Sequence, residues 1–245
     1  MSLENYFLPF RQHIIGQNLQ HQINGKTLDI IYADWTASGR LYQPIEDYLT
    51  NELGPYVANT HTETNLTGSA MTHAYHEAQH VIKRHVNACD NDILITAGAG
   101  MTAVVNKFQR ILGLRIPERM QAQVAFAEHE RPVVFITHME HHSNQTSWYE
   151  CDVTLEIVEP DSHGLPSLDH LAILLEKYKD REVKIGSFSA CSNVTGIKTP
   201  YYQLAELMHQ HGGLCFVDFA ASAPYVDIDM HPSNPKQALD AIYFS

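Results

Sequence analysis

Four segments of the sequence could do chemistry, because each places small or polar residues directly after an apolar, strand-like run. In an open parallel sheet, ligands bind beyond the carboxyl ends of the strands. The first segment carries Gly98, Ala99 and Gly100 before a helix predicted to begin at Met101. Backbone N–H groups at such a helix start can surround a phosphate dianion. A tight turn without a ligand is the alternative, since the third glycine of a dinucleotide fingerprint is missing.

The second segment follows the apolar run Val133 to Thr137 and is rich in histidine. An imidazole here, such as that of His141, could stack on a flat aromatic ligand and relay protons near neutral pH. A metallohydrolase centre built on His138, His141 and His163 is a weaker alternative. The sequence has no H-E-x-x-H spacing, and the adjacent His141 and His142 would point apart on an extended chain, so no metal site is predicted here.

The third and fourth segments each offer one polar side chain after a strand. Asn193 is a neutral donor that could hold a phenolate oxygen, although such residues most often only form a loop. Asp218 closes the nearly unbroken apolar run from Leu214. Burying its carboxylate there is costly unless a cation, such as a protonated pyridine nitrogen, accompanies it. Otherwise Asp218 caps the next segment or lies exposed.

Alternating apolar and amphipathic segments are the elements that must position these residues. They predict an α/β fold of three layers, α/β/α, around a mostly parallel central sheet. Residues 1–28 are predicted to form an N-terminal helical segment, with a short strand over Leu28 to Ala33, and residues 29–245 one large domain. Thr199 and Pro200 should begin one helix, as N-cap and first helical residue, and Gly212 should end it. The predicted helices are Met71 to Val86, Met101 to Leu112, Leu168 to Tyr178 and Pro200 to Gln210, and the predicted strands are Ile93 to Ile95, Val133 to Thr137, Leu155 to Val158, Val183 to Ser189, Leu214 to Asp218 and Ala241 to Phe244.

Charge and composition exclude several classes of protein. The formal net charge of −12 at pH 7 would repel a nucleic-acid backbone, so no nucleic-acid partner is expected. The longest apolar runs are strand-sized, and the N-terminus has no apolar signal segment, so no membrane partner is expected. Four cysteines lie far apart without a C-x-x-C pair, which suits the reducing cytoplasm better than a disulfide framework.

The four segments, in this order and spacing, resemble the class V aminotransferase family, which includes cysteine desulfurases and selenocysteine lyases. The likeness spans Ile31 to Ser245, beginning with the segment Tyr32 to Gly39 and continuing through Asn59 to His61. It implies the large domain of a fold-type I enzyme that uses pyridoxal 5'-phosphate (PLP). It also implies an amino-acid substrate, either a desulfurase or lyase type of reaction or a transamination, and a homodimer.

The resemblance implies a role for individual residues of this chain. His141 would stack on the pyridine ring, Asp218 would bond the ring nitrogen, and both would take part in catalysis. Asn193 would bond the ring oxygen O3′, and Ala220 would pack against the opposite ring face. The phosphate would be held by Ala99, Gly100, Met101 and Ser245, and the substrate would lie near Asp34, Thr36, Ala37, Asn59 and His61.

Two departures from the family pattern limit what the resemblance implies. Ala221 stands where many members have a glutamine that bonds O3′. Ser245 matches the serine of a motif that continues to the Schiff-base lysine, and neither Lys198 nor Lys236 occupies the equivalent strand-end position. The large domain is therefore expected to be incomplete at its C-terminus and this chain to be inactive alone. The alternative is a truncated, noncatalytic binding or interaction protein on the same fold.

Overall fold

The computed structural model describes residues 2–98, 100–120, 123–124 and 126–245. Within it the chain divides into two compact units, one up to Ile82 and one from Lys83 onward. The predicted division of the chain at residue 28 stays a prediction. None of the described helices is long and apolar enough to cross a membrane.

The first unit contains a short hairpin and several helices. Two antiparallel strands pair Gln20 with Asp29 and Ile23 with Lys26, and Asn24 and Gly25 both have the positive φ that a two-residue hairpin turn requires. The strand predicted over Leu28 to Ala33 was largely wrong, because pairing ends at Asp29. The elements are α1 (Leu3–Gln12), β1 (Gln20–Ile23), β2 (Lys26–Asp29), α2 (Gln43–Tyr48), a π turn (Leu49–Leu53), a 3-10 turn (Gly54–Tyr56) and α3 (Leu66–His85), which extends three residues beyond Ile82.

The second unit is built on a five-stranded sheet of the described residues, in which every neighbouring pair of strands is parallel. The strand order is β4-β3-β5-β6-β7. The elements are α4 (Met101–Ile111), β3 (Val133–Thr137), α5 (His142–Tyr149), β4 (Thr154–Val158), α6 (Leu168–Lys177), β5 (Lys184–Ser189), α7 (Tyr201–Gln210), β6 (Leu214–Asp218) and β7 (Ala241–Tyr243), with 3-10 turns at Glu118–Met120, Glu128–Glu130, Ala223–Tyr225 and Pro235–Gln237.

Helices cover both faces of this sheet, and the strand residues alternate between two hydrophobic clusters. Val133 and Phe135 pack with α6 and α7 in the larger cluster. Val134 and Ile136 pack with α4 and α5 in the other. A strand buried on both faces is apolar at every position, which is why β3 appears as an unbroken run in the sequence. The predicted three-layer α/β/α arrangement is confirmed.

The ends of α7 were predicted unequally well. Gly212 has a φ of 69°, and its N–H donates to the carbonyl of His209 while Gly213 donates to Met208, so the predicted stop is confirmed. The predicted start was wrong by one position. Pro200 itself is the N-cap, and the Thr199 hydroxyl donates to the carbonyl of Ser189 at 2.6 Å instead of to the helix.

Two other local predictions failed. The strand predicted over Ile93 to Ile95 is absent from the described fold, where residues 92–97 have no regular structure and Ile93 is 85% exposed. The helix α5 was not predicted, because its sequence has no apolar period. It places the predicted imidazole of His141 at a helix start rather than on an extended chain.

Candidate ligand site at the carboxyl edge of the sheet

Asp218 is the last residue of β6 and is almost fully buried, with 5% of its surface exposed. Its Oδ1 accepts a hydrogen bond from the N–H of Ala220 at 2.8 Å. Burial raises the pKa of the Asp218 carboxyl to about 7, and repulsion from the Glu140 carboxylate adds to the rise. Among the described residues no lysine, arginine or histidine forms an ion pair with Asp218. A buried carboxyl of this kind needs either a proton or a cationic ligand.

Tyr243 lies beside Asp218 in the sheet, in register with it on β7. Its hydroxyl is buried and has no hydrogen-bond partner among the described residues. Burial, followed by the nearby Asp218 charge, raises the pKa of the Tyr243 phenol. Among the described residues, the Tyr243 hydroxyl therefore lacks a hydrogen-bond partner and the neighbouring Asp218 carboxyl lacks a cation. A ligand with a protonated ring nitrogen fits such a place, because it would supply the positive charge that the Asp218 carboxylate needs as a partner.

Glu140 lies beneath this edge and is surrounded by donors. Its carboxylate accepts from the N–H and hydroxyl of Thr137 at 3.1 and 2.5 Å. It also accepts from the N–H and hydroxyl of Ser189 at 3.0 and 2.6 Å, and from the amide of Asn144 at 2.7 Å. The carboxylate thereby joins the ends of β3 and β5 to α5. Glu140 was not predicted as a site residue, although a charged side chain three residues after a buried strand was a usable signal.

Asn144 extends this network under the helix α5. Its Oδ1 accepts from the Ser187 hydroxyl at 2.7 Å and from the Trp148 indole at 3.1 Å. Its amide also donates to the carbonyl of Ser187 at 3.2 Å. Since Asn144, Trp148 and Ser187 are all buried, the network satisfies polar groups that would otherwise be costly.

Replacing Glu140 by glutamine should lower the free energy of unfolding by about 1–3 kcal/mol. All five hydrogen bonds are donated to the carboxylate, by groups of Thr137, Ser189 and Asn144. The NH2 of a glutamine amide would therefore face at least one of these donors and find no acceptor there. Urea unfolding of the variant measures the loss. Glu130→Gln is the control and should change little, because Glu130 is exposed and, among the described residues, accepts one hydrogen bond, from the N–H of Ala127. An unchanged midpoint for Glu140→Gln would contradict the importance of this network.

The helix α4 begins with glycine geometry suited to an anion. Gly100 is its N-cap, with φ 90° and ψ 174°, and among the described residues no side-chain cap bond to this helix start is seen. Gly98 has a φ of 61°, and a Cβ there would lie 2.4 Å from that of Ala103. The uncapped N–H groups and the partial positive charge of the helix start favour an anionic group. Ala99 lies outside the described residues.

His141 is the N-cap of α5. Its orientation is therefore set by the helix start and not by an extended segment. Its Nδ1 accepts from the N–H of Ser143 at 3.1 Å, so a neutral His141 carries its proton on Nε2. The Ser143 hydroxyl lies 3.9 Å from the sulfur of Met101, which joins the starts of α5 and α4. Met101 and Ala220 pack into the same hydrophobic cluster. The structure thus brings Gly100, Met101, His141, Asp218 and Ala220 to one edge of the sheet.

Two of the other predicted site residues, Asn193 and Ser245, follow strands of the same sheet. Asn193 is exposed in the turn that follows β5, and Ser245 is exposed after β7. The remaining predicted residues belong to the first unit. There Asp34, Thr36 and Ala37 lie in a turn closed by the Ser38 N–H and the Asp34 carbonyl, and Asn59 and His61 precede α3.

The metallohydrolase alternative finds no support at this site. His138 bonds the carbonyl of Gly164 through Nε2. In the described parts of the chain, His138, His141 and His163 do not form a group whose ligand atoms could share an ion.

Comparisons with known proteins agree with the predicted resemblance. The sequence pattern of the family described as aminotransferase class-V matches residues 31–245. A probable cysteine desulfurase of Halalkalibacterium halodurans is 27% identical over 216 residues, which are 86% of this chain and 49% of that protein. A cysteine desulfurase of Synechococcus elongatus is 27% identical over 230 residues, which are 92% of this chain and 33% of that protein. The chain spans about half or less of the length of these relatives.

Solved structures show the same fold. The apo structure of a cysteine desulfurase from Thermococcus onnurineus matches with a TM-score of 0.73 at 20% identity, over 97% of this chain and 52% of that one. A cysteine desulfurase from Escherichia coli matches with a TM-score of 0.69 at 18% identity, over 97% of this chain and 53% of that one. The predicted fold type is therefore confirmed.

Proposed function

Because the chain belongs to the aminotransferase class-V family, we propose that it forms the PLP-holding part of a cysteine desulfurase-like enzyme that acts on an amino acid. The observation that carries the proposal is the buried Asp218 carboxyl, which lacks a cation among the described residues. A pyridine nitrogen protonated beside it would supply that cation. The neighbouring edge residues then have separate tasks.

Asp218 would keep the proton on the ring nitrogen. Its burial makes the carboxylate an unusually strong proton acceptor, and a cationic ring beside it is stabilised by the low local dielectric. When bound, the cofactor supplies an electron sink that a protonated ring nitrogen strengthens. The Tyr243 hydroxyl lies close enough to feel the Asp218 charge and could donate a hydrogen bond to this pair.

The remaining residues would bind and orient the cofactor. The N–H groups at Gly100 and Met101, with Ala99 before them and Ser245 after β7, would hold the phosphate. His141 would cover one ring face and Ala220 the other. His141 is held in place by its cap bond to Ser143, and its Nε2–H, which bonds none of the described residues, would donate to the ligand. Asn193 would bond the ring oxygen O3′, which requires its exposed turn to approach the edge.

The substrate and the assembly are proposals that rest on the family. An amino acid would bind near Asp34, Thr36, Ala37, Asn59 and His61, with cleavage of the cysteine desulfurase or selenocysteine lyase type, or with transamination. We propose a homodimer working in the cytoplasm, as the family resemblance implies. The covalent step of such a reaction requires the family's lysine, and we propose neither Lys198 nor Lys236 for that role.

Replacing Gly100 by alanine should weaken PLP binding at least tenfold, measured by titrating the chain and following cofactor absorbance. Apart from its chain neighbours, the described residues place no atom within 4 Å of an added Cβ at Gly100, so it would protrude into the space proposed for the phosphate. Both this change and Gly113→Ala place alanine at a positive φ, so each should lower stability by about 1–2 kcal/mol.

Gly113→Ala is the matched control, because it lies past the other end of α4 and also has open space around its Cβ. It should bind PLP as the unchanged chain does. Pyridoxal, which lacks the phosphate, should show little difference among the three proteins. Equal PLP affinity in the two alanine variants, or no PLP binding by the unchanged chain, would refute the proposed site.

A further inference from the structure

A second group of ligand-type side chains lies where the chain leaves α3, and it shares no residue with the proposed cofactor site. The group consists of Cys89, Asp92 and His231, from two segments 139 residues apart. One ligand atom of each, a thiol sulfur, a carboxylate oxygen and an imidazole nitrogen, lies within 4.8 Å of the others. Nε2 of His231 lies 2.7 Å from Oδ2 of Asp92.

The two segments are held together by bonds that do not use the three ligand side chains. The N–H of Met230 donates to the carbonyl of Val86 at 3.0 Å. The amide of Asn87 donates to Oδ1 of Asp229 at 2.7 Å, and the N–H of His231 donates to the same oxygen at 3.0 Å. The backbone on both sides of the group is therefore fixed before any ion binds, as a metal site requires.

The N–H of Cys89 fixes the Asp92 carboxylate. It donates to Oδ2 of Asp92 at 2.6 Å, so the short turn from Cys89 to Asp92 directs the carboxylate toward His231. Cys89 and His231 are exposed and Asp92 is partly buried, so an ion could reach all three from solvent. A surface ion pair between Asp92 and His231 would account for two of these residues, but it gives no role to the thiol.

Sulfur, nitrogen and oxygen donors together indicate which ion would fit. Mg²⁺ and Ca²⁺ prefer oxygen ligands alone, whereas Zn²⁺ binds cysteine, histidine and carboxylate in tetrahedral sites. Zinc bonds of about 2.0–2.3 Å would separate neighbouring ligand atoms by roughly 3.3–3.5 Å. The present 2.7 Å contact would lengthen by less than an ångström, as the ion replaces the proton shared by His231 and Asp92.

We propose that Cys89, Asp92 and His231 form a zinc-binding site, with a water molecule or an external ligand in the fourth position. Binding releases the protons of the Cys89 thiol and of His231 Nε2, and the ion takes their place. The bound ion would join the end of α3 to the segment before β7. Its binding free energy would then add to the stability of the second unit.

Cobalt(II) titration of the 245-residue chain tests the site, because a thiolate bound to cobalt gives a charge-transfer band in the near ultraviolet. The unchanged protein should bind one equivalent with this band, and zinc should displace the cobalt and abolish it. Cys89→Ala should lose the band, and His231→Ala should weaken cobalt binding at least tenfold. Cys191→Ala, which removes a partly buried thiol elsewhere, should behave as the unchanged protein.

Thermal unfolding with and without zinc gives a second, independent measurement. Zinc should raise the melting temperature of the unchanged chain and of Cys191→Ala, but not that of Cys89→Ala. Cobalt binding without the thiolate band, or a band that survives in Cys89→Ala, would overturn the proposal. Because PLP takes no part in either measurement, their failure would leave the proposed function unaffected.

Discussion

In the proposed cysteine desulfurase-like enzyme, Asp218→Asn should lower turnover by about 10²–10³-fold while PLP remains bound. The asparagine amide can still accept the N–H of Ala220, so the local backbone is preserved. It carries no charge, however, and the ring nitrogen would no longer keep its proton. The electron-withdrawing power of the ring would fall with that proton.

Steady-state kinetics with an amino-acid substrate measure this loss, and the visible spectrum reports whether the cofactor is still present. Asp227→Asn provides the control, since Asp227 is exposed and lies nine residues further along the same unit. It should leave kcat and the spectrum unchanged. Full turnover in Asp218→Asn would show that the ring nitrogen lies elsewhere and would remove the main support for the proposed function.

The same substitution should stabilise the cofactor-free chain at pH 8 by up to roughly 4 kcal/mol. The folded pKa of Asp218 is raised from 3.8 to about 7, chiefly by burial. The folded state therefore binds a proton that the unfolded state has already lost between these two values. This contribution to stability is fully present below about pH 4, falls as the pH rises, and is lost above about pH 7. Asparagine does not titrate, so the stability of the Asp218→Asn variant does not fall with pH for this reason.

Urea unfolding at pH 4, 6 and 8 tests the sign of this effect. The stability difference between Asp218→Asn and the unchanged chain should be near zero at pH 4 and largest at pH 8. Asp227→Asn should show no such trend. Added PLP should shrink the difference at pH 8, because the cofactor stabilises only the charged carboxylate. A difference that does not vary with pH would mean that Asp218 is not buried as described.

The sheet could be predicted from the sequence, because burial on both faces leaves a local signal. The runs Val133 to Thr137 and Leu214 to Asp218 are apolar at nearly every position, and both strands match their predicted bounds. The run Ile93 to Ile95 has the same apolar character but forms no strand in the described fold. A strand forms only where a neighbouring strand accepts and donates its backbone hydrogen bonds. A run of three residues does not reveal whether such a neighbour exists.

The helix α5 and much of the site could not be predicted for a related reason. Its large hydrophobic residues, Trp148 and Tyr149, are adjacent at its end, so no hydrophobic period appears. The helix is held by polar contacts of Asn144 and Glu140 with residues of β5, which are more than 40 positions away. Cys89 and His231 are separated still further, so their proximity was visible only in three dimensions.

The bonds of Asn144 to Ser187 and Trp148 determine how precisely the helix α5 is positioned on the sheet. Apolar packing alone would let a short helix rotate or slide by a fraction of a turn at little cost. A side chain that must meet several fixed donors and acceptors tolerates much less displacement. Since α5 starts immediately after His141, its polar attachment also sets where the imidazole stands, so mutations deep under the helix should alter ligand alignment without touching the ligand.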